Sequence, residues 1–239
     1  MDFEGYNYRG FYENPWNNFT IDNEKGAKKL FFRLFLSVSI YIIAANIASL
    51  LLQIAIILIF SEARATEIYN NGGFILVQSA VCSYIIALPL LLLTLKGTRG
   101  TVRYKTKMGF KEFLGFFFAG EFLMIIGSFI SSGFNYILSI FKLSSDSETL
   151  EQALSTAPVF ITLIMTVVVA PIAEEFIFRK LFMDRLGVYG DRLAIVVSAA
   201  AFGLFHGNIS QFFYSALLGL VLGYVYSKTG RIIYPILLH

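Results

Sequence analysis

Two adjacent carboxylates, Glu174 and Glu175, stand in the segment PIAEEFIFRK at 171–180, directly after the apolar run VFITLIMTVVVA. Arg179 follows Glu175 at i+4, with the acid on the N-terminal side, the order that pairs well on a helix. Glu174 is turned about 100° from its neighbour at the helical period. One acid thus neutralises the arginine and the other projects elsewhere. A carboxylate left without a partner at membrane depth is a candidate general base. His206 and His239, the chain's two histidines, are further candidates, because ionisable groups inside spanning segments usually face a bundle interior or a wet cavity. A blander reading makes Arg179 and Lys180 snorkelling charges at a helix end, and each histidine a hydrogen bonder to a neighbouring helix.

These residues need a membrane scaffold to position them, and the composition provides one. Of the 239 residues, 56% are hydrophobic and 15% charged, against about 45–50% and about 25% in soluble domains. The mean hydropathy is +0.68. The expected fold is all-α, a polytopic transmembrane bundle of about seven spanning helices. The apolar segments run near 34–60, 73–95, 110–140, 157–186, 192–206 and 212–226, and a last one starts at Ile232 and is cut short at His239. The lone Cys82 lies in an apolar run and permits no internal disulfide. Basic residues lie beside membrane segments, not in one patch with interleaved aromatics, which excludes a nucleic-acid partner.

Lys25, Lys28, Lys29 and Arg33 precede the first segment, and Lys96, Arg99, Arg103, Lys105, Lys107 and Lys111 follow the second. Arg185 and Arg192 flank the fourth-to-fifth turn, and Lys228 and Arg231 the sixth-to-seventh. The opposite loops carry Arg64 and Lys142 with Glu62, Glu67, Asp146, Glu148 and Glu151. Lys and Arg gather on cytoplasmic loops, so the expected localisation is a multi-pass cell-membrane protein with a cytoplasmic N-terminus. If the chain turns near Gly187–Asp191, Glu174 and His206 both lie roughly 20–25 Å from that turn on antiparallel helices. His239 lies about 15 Å beyond its own turn at Thr229. Small residues at 198–203, and Ser215, Gly219 and Gly223 at four-residue spacing, suit close helix approach.

Three motifs in order carry a family resemblance. EEFIFR (Glu174–Arg179) resembles the EExxxR motif of the CPBP family of intramembrane proteases, which includes type II CAAX prenyl proteases and the bacterial Abi and lysostaphin-resistance-like proteins. FGLFH (Phe202–His206) is similar to its FxxxH motif, and YPILLH (Tyr234–His239) to the start of the third. The resemblance covers about 158–239 and implies an intramembrane endopeptidase, CAAX-protease-like or peptide- and bacteriocin-processing. It implies Glu174 as the base that activates water, His206 as a holder of that water, and His239 as a stabiliser of the oxyanion. It also implies Glu175 and Arg179 as a supporting ion pair and Phe202 as packing beside His206. The favoured reading requires no metal. Zinc is the other option: His206, His239 and a glutamate such as Glu174 give three ligands with an open position. No HExxH is present. The family's third motif continues past His239, so the sequence reads as truncated.

The expected organisation is a tail at 1–33, N-terminal helices at 34–156 and catalytic helices at 157–239. The partners implied are membrane lipid and a peptide or protein substrate; the oligomeric state is left open. A rival reading is a catalytically idle membrane protein giving bacteriocin self-immunity, and another is a transporter with a proton relay, although no inverted repeat is evident. Glu121 either lines the same cavity, as a second partner for Arg179, or bonds a neighbouring helix. Asn46, Gln53, Gln78 and Asn135 read as interhelical hydrogen bonders, and Trp16 with the tail tyrosines as interfacial contacts.

Overall fold

Five of the expected apolar runs form helices long and apolar enough to cross a bilayer. The structure, a computed structural model, describes residues 24–98, 100, 101, 103, 105–141 and 148–239. The tail through residue 23 with Trp16, the residues Arg99, Lys142 and Asp146, and the side chains of Lys25, Glu148 and Glu151 lie outside the described residues. In chain order the helices are α1 (Glu24–Ile59), α2 (Glu62–Tyr69), α3 (Gly72–Thr94), α4 (Phe110–Ile140), α5 (Glu148–Thr156), α6 (Val159–Tyr189), α7 (Asp191–Phe205), α8 (Ile209–Thr229) and α9 (Ile233–Leu238). No strand occurs among the described residues.

Among the described residues five spans meet the length and hydropathy of a crossing, where the sequence led to an expectation of about seven. The difference lies in α7 and α9. With 15 residues, α7 is about 22 Å long and falls short of a ~30 Å hydrocarbon core. Its end is set by local chemistry: Gly207 takes a left-handed φ of 70°, and the Asn208 side chain caps α8 by accepting from Gln211 N at 2.8 Å. The helix α9 has six residues. The short helices α2 and α5, in the loops opposite the basic ones, escape a reading based on long apolar runs.

The outer faces of α1, α4 and the first half of α6 expose large apolar side chains such as Leu58, Phe129 and Phe160, as a lipid-facing surface requires. One buried cluster joins α1, α3, α6, α7 and α8 through Leu34, Tyr41, Leu91, Phe178, Phe202 and Tyr226. A second joins α8 to α4 and α9 around Leu218, Leu222 and Leu238. The helix α8 is therefore the shared strut. It lies tight against α7 because Gly203 offers no side chain: a Cβ there would sit 2.7 Å from the Phe212 carbonyl oxygen. Small residues drive such approaches between membrane helices.

Polar side chains tie the spans together. Gln78 on α3 donates to Ser49 on α1 at 2.7 Å, and Asn135 on α4 to Ser210 on α8 at 2.8 Å. Asn46 instead bonds the Ile42 carbonyl of its own helix, and Gln53 is exposed and engages Tyr69 only through its backbone carbonyl. At the polar end shared by α3, α4, α6 and α8, Arg103 reaches Asp184 at 3.3 Å and Asp191 at 2.8 Å. Those contacts strap the α3–α4 loop to α6 and the start of α7. Cys82 is a buried free thiol.

Candidate active site

The helix α6 is not uniform where it carries its charges. An α-helical turn, Ala170–Glu175, lies between two π-helical stretches, Leu163–Val169 and Phe176–Met183. Pro171 contributes to the first, since it cannot donate the backbone bond an α-helix would need there. Such widened turns often coincide with functional sites. Both glutamates sit on that turn.

Glu175 and Arg179 form a closed pair. Arg179 Nε donates to Glu175 Oε2 at 2.7 Å and Nη2 to Oε1 at 3.4 Å, with both side chains fully buried. The remaining arm, Nη1, donates to Ser198 Oγ of α7 at 3.0 Å, and that hydroxyl donates to the Phe178 carbonyl at 2.9 Å. The guanidinium also lies 5.6 Å from the centre of the Phe202 ring. Arg179 is thus a buried structural cation, not a snorkelling one. Lys180 behaves differently, with a half-exposed side chain paired to Asp184 at 2.6 Å.

Glu174 faces another way, as the helical period requires. Its side chain is 10% exposed. Tyr84 on α3 donates its hydroxyl to Oε1 at 3.2 Å, and Nε2 of His239 lies 3.8 Å from Oε2. His206 stands within electrostatic reach of the same carboxylate. Among the described residues the one ion-pair contact of Glu174 is with His239.

The two imidazoles flank one ring. Phe202, which is fully buried, lies 5.0 Å from His206 and 5.5 Å from His239 between ring centres, both in edge-on geometry. His206 Nδ1 is 2.9 Å from the Phe202 carbonyl. A carbonyl only accepts, so Nδ1 carries the proton and Nε2 is left as an acceptor when the ring is neutral. His239 Nδ1 lies 3.3 Å from Glu175 Oε1, which by the same reasoning protonates Nδ1 and turns Nε2 toward Glu174. The turn 206–208 holds the first ring in place, since Asn208 Nδ2 donates to the His206 carbonyl at 3.0 Å.

The structure therefore brings together Glu174, Glu175, Arg179, Phe202, His206 and His239, from α6, α7 and the end of α9. Glu121 stands apart: it is exposed on α4, while the donors of Arg179 go to Glu175 and Ser198. Sequence reasoning misses Tyr84 and the polar role of Ser198. Tyr84 sits in the apolar run VCSYIIA, where nothing local separates it from an interfacial tyrosine. Glu174, His206 and His239 are the right donor types for zinc, but among the described residues no three His, Cys, Asp or Glu side chains form a group that could hold a metal.

Comparison with known proteins bears on the same segment. Residues 156–239 match the family described as type II CAAX prenyl endopeptidase Rce1-like. The chain is 28% identical over 167 residues to a Bacillus subtilis (strain 168) protein named "Putative membrane peptidase YdiL", covering 67% of this chain and 66% of that relative. The matched part thus spans just under two thirds of the relative's length. No solved structure matches the chain.

Proposed function

From the match of residues 156–239 to the type II CAAX prenyl endopeptidase Rce1-like family and the likeness to a putative membrane peptidase, we propose that the chain is a CPBP-family intramembrane endopeptidase using water activated by Glu174. The observation that carries this reading is the unequal treatment of the two glutamates. Glu175 spends its charge on Arg179, while Glu174 has a tyrosine hydroxyl and two imidazoles around it and no guanidinium or ammonium partner among the described residues.

In the proposed reaction Glu174 takes a proton from a water molecule as its oxygen attacks the scissile carbonyl carbon. His206 Nε2, the free acceptor, orients that water. Tyr84 fixes Oε1 and leaves Oε2 for the proton. His239 keeps Nδ1–H on Glu175 and, once its Nε2 is protonated, offers Nε2–H to the oxyanion of the tetrahedral intermediate. The carbon–nitrogen bond then breaks, and Glu174 returns its proton to the leaving amine. Glu175 and Arg179 do no chemistry; they hold α6 against α7 and orient His239.

The substrate class is a peptide or protein that reaches the bundle from the membrane, and the placement is the cell membrane with the N-terminus in the cytoplasm, on the strength of the basic loops. The test compares membranes from cells producing the chain with those producing Glu174→Gln, by mass spectrometry of new peptide termini. A set of termini present only with the unaltered chain is expected. Identical termini in both would overturn the reading and favour a binding role such as immunity.

A further inference from the structure

Away from the glutamates, where α3, α6 and α8 all end, a cavity of about 430 Å³ opens to the surface. Its walls carry four cations, Arg103, Lys105, Lys180 and Arg185, against one carboxylate, Asp184. Asp184 is already saturated: it accepts from Lys180 at 2.6 Å, Tyr226 at 2.9 Å and Arg103 at 3.3 Å. A second carboxylate, Asp191, is taken up by Arg103. That accounting leaves Lys105 and Arg185 in excess. Arg185 donates to Thr98 Oγ1 at 2.7 Å and to the Leu181 carbonyl at 2.9 Å, which aims it without neutralising it.

The cavity is built, not a gap between loose loops. Thr101 donates from both its backbone nitrogen and its hydroxyl to the Asp184 carbonyl, at 2.6 and 2.8 Å. Gly100 lies so close that a Cβ would stand 2.8 Å from the Asp184 Cβ. Arg103 is held over the Tyr226 ring at 5.3 Å. The position matters as much as the charge. The walls come from the last turns of α6, from the residue that ends α8 and from the α3–α4 loop, all at one end of the spans, where lipid phosphates lie.

We propose that this cavity is a binding site for a phosphate group, separate from the peptidase reading and not dependent on it. A phosphate offers several acceptor oxygens for the flexible Lys105, the fixed fork of Arg185 and the ammonium donors of Lys180 that its bond to Asp184 leaves over. Basic pockets at the cytoplasmic ends of membrane helices are where anionic headgroups dock.

The test uses the purified full chain and the Lys105→Gln/Lys180→Gln variant, neither residue touching the candidate active site. Thermal stabilisation is measured against short-chain phosphatidylglycerol, short-chain phosphatidylcholine and inorganic phosphate. Concentration-dependent stabilisation by phosphatidylglycerol but not phosphatidylcholine is expected, weakened about 30-fold in the variant. Inorganic phosphate acting at the same concentrations, with the same loss in the variant, would support the site and assign it to soluble phosphates. Stabilisation that is absent, or equal in the two proteins, or equal for the two lipids, would overturn it. A Lys105→Arg/Lys180→Arg variant, which keeps the charge, should retain binding and so separates charge loss from misfolding.

Discussion

At the scale of single residues, what distinguishes Glu174 from Glu175 is company. Both lie on one buried turn of α6, yet one meets a guanidinium at 2.7 Å and the other a phenol at 3.2 Å. Removing the Glu175 charge leaves Arg179 buried and unpaired, so Glu175→Gln should cost about 3–5 kcal/mol of stability. Replacing both partners by apolar residues should recover much of that loss. Denaturant titration of the purified chain checks both, and a cost below about 1 kcal/mol for the single change would speak against a closed pair. Tyr84→Phe removes one hydrogen bond to a carboxylate and nothing else. It should lower kcat about tenfold with KM little changed, since a bond to a charged group is worth about 1.5–3 kcal/mol at most. An unaltered kcat would mean that the phenol does not orient the base. The pair Glu175–Arg179 was readable from its i, i+4 spacing alone. Tyr84 was not, because it is one of 13 tyrosines and lies 90 positions from its partner, a distance that only packing closes.

At the scale of elements, the site depends on how closely α7 and α8 approach. His206 ends α7, and the turn that follows is fixed by Gly207 and the Asn208 cap. Gly203 is the point of nearest contact, so a methyl group there must push α8 outward. Gly203→Ala should lose about 1–3 kcal/mol of stability, the usual cost of overpacking, and should slow cleavage by moving His206 away from Glu174. Parallel melting and activity measurements would show the two effects together; a stable and fully active variant would contradict the packing described. The small-residue pattern made this approach visible in sequence. The length of α7 was less visible, because an apolar run of 15 residues reads as a short span until the bend that ends it is seen. The π-helical stretches around Glu174 have no sequence signature apart from Pro171.

For the whole molecule, the positive charges gather at the end where α3, α6 and α8 terminate, and Glu62 and Glu67 mark the other end. That asymmetry sets the expected orientation. Single cysteines at Lys107 and Glu62, in a Cys82→Ser background, should be labelled by an impermeant thiol reagent from opposite sides. Lys107→Cys should react only when the cytoplasmic face is opened, and the reverse pattern would invert the topology. Fold class was legible from composition, because lipid-facing surface demands apolar length. The Arg103 links to Asp184 and Asp191 were not, since they join residues more than 80 positions apart.

The claim on which the rest depends is that the acid set free by its neighbour's pairing does the chemistry. Glu174→Gln keeps the side chain's shape and an oxygen to accept from Tyr84, and removes its basicity together with its charge toward His239. Initial cleavage rates in proteoliposomes, on a peptide spanning a terminus identified as above, test this directly. A fall of about 10³-fold or more with an unchanged melting temperature is expected, within the range that loss of a group acting only in the transition state produces. A Glu174→Gln protein that cleaves within about tenfold of the unaltered chain would contradict it.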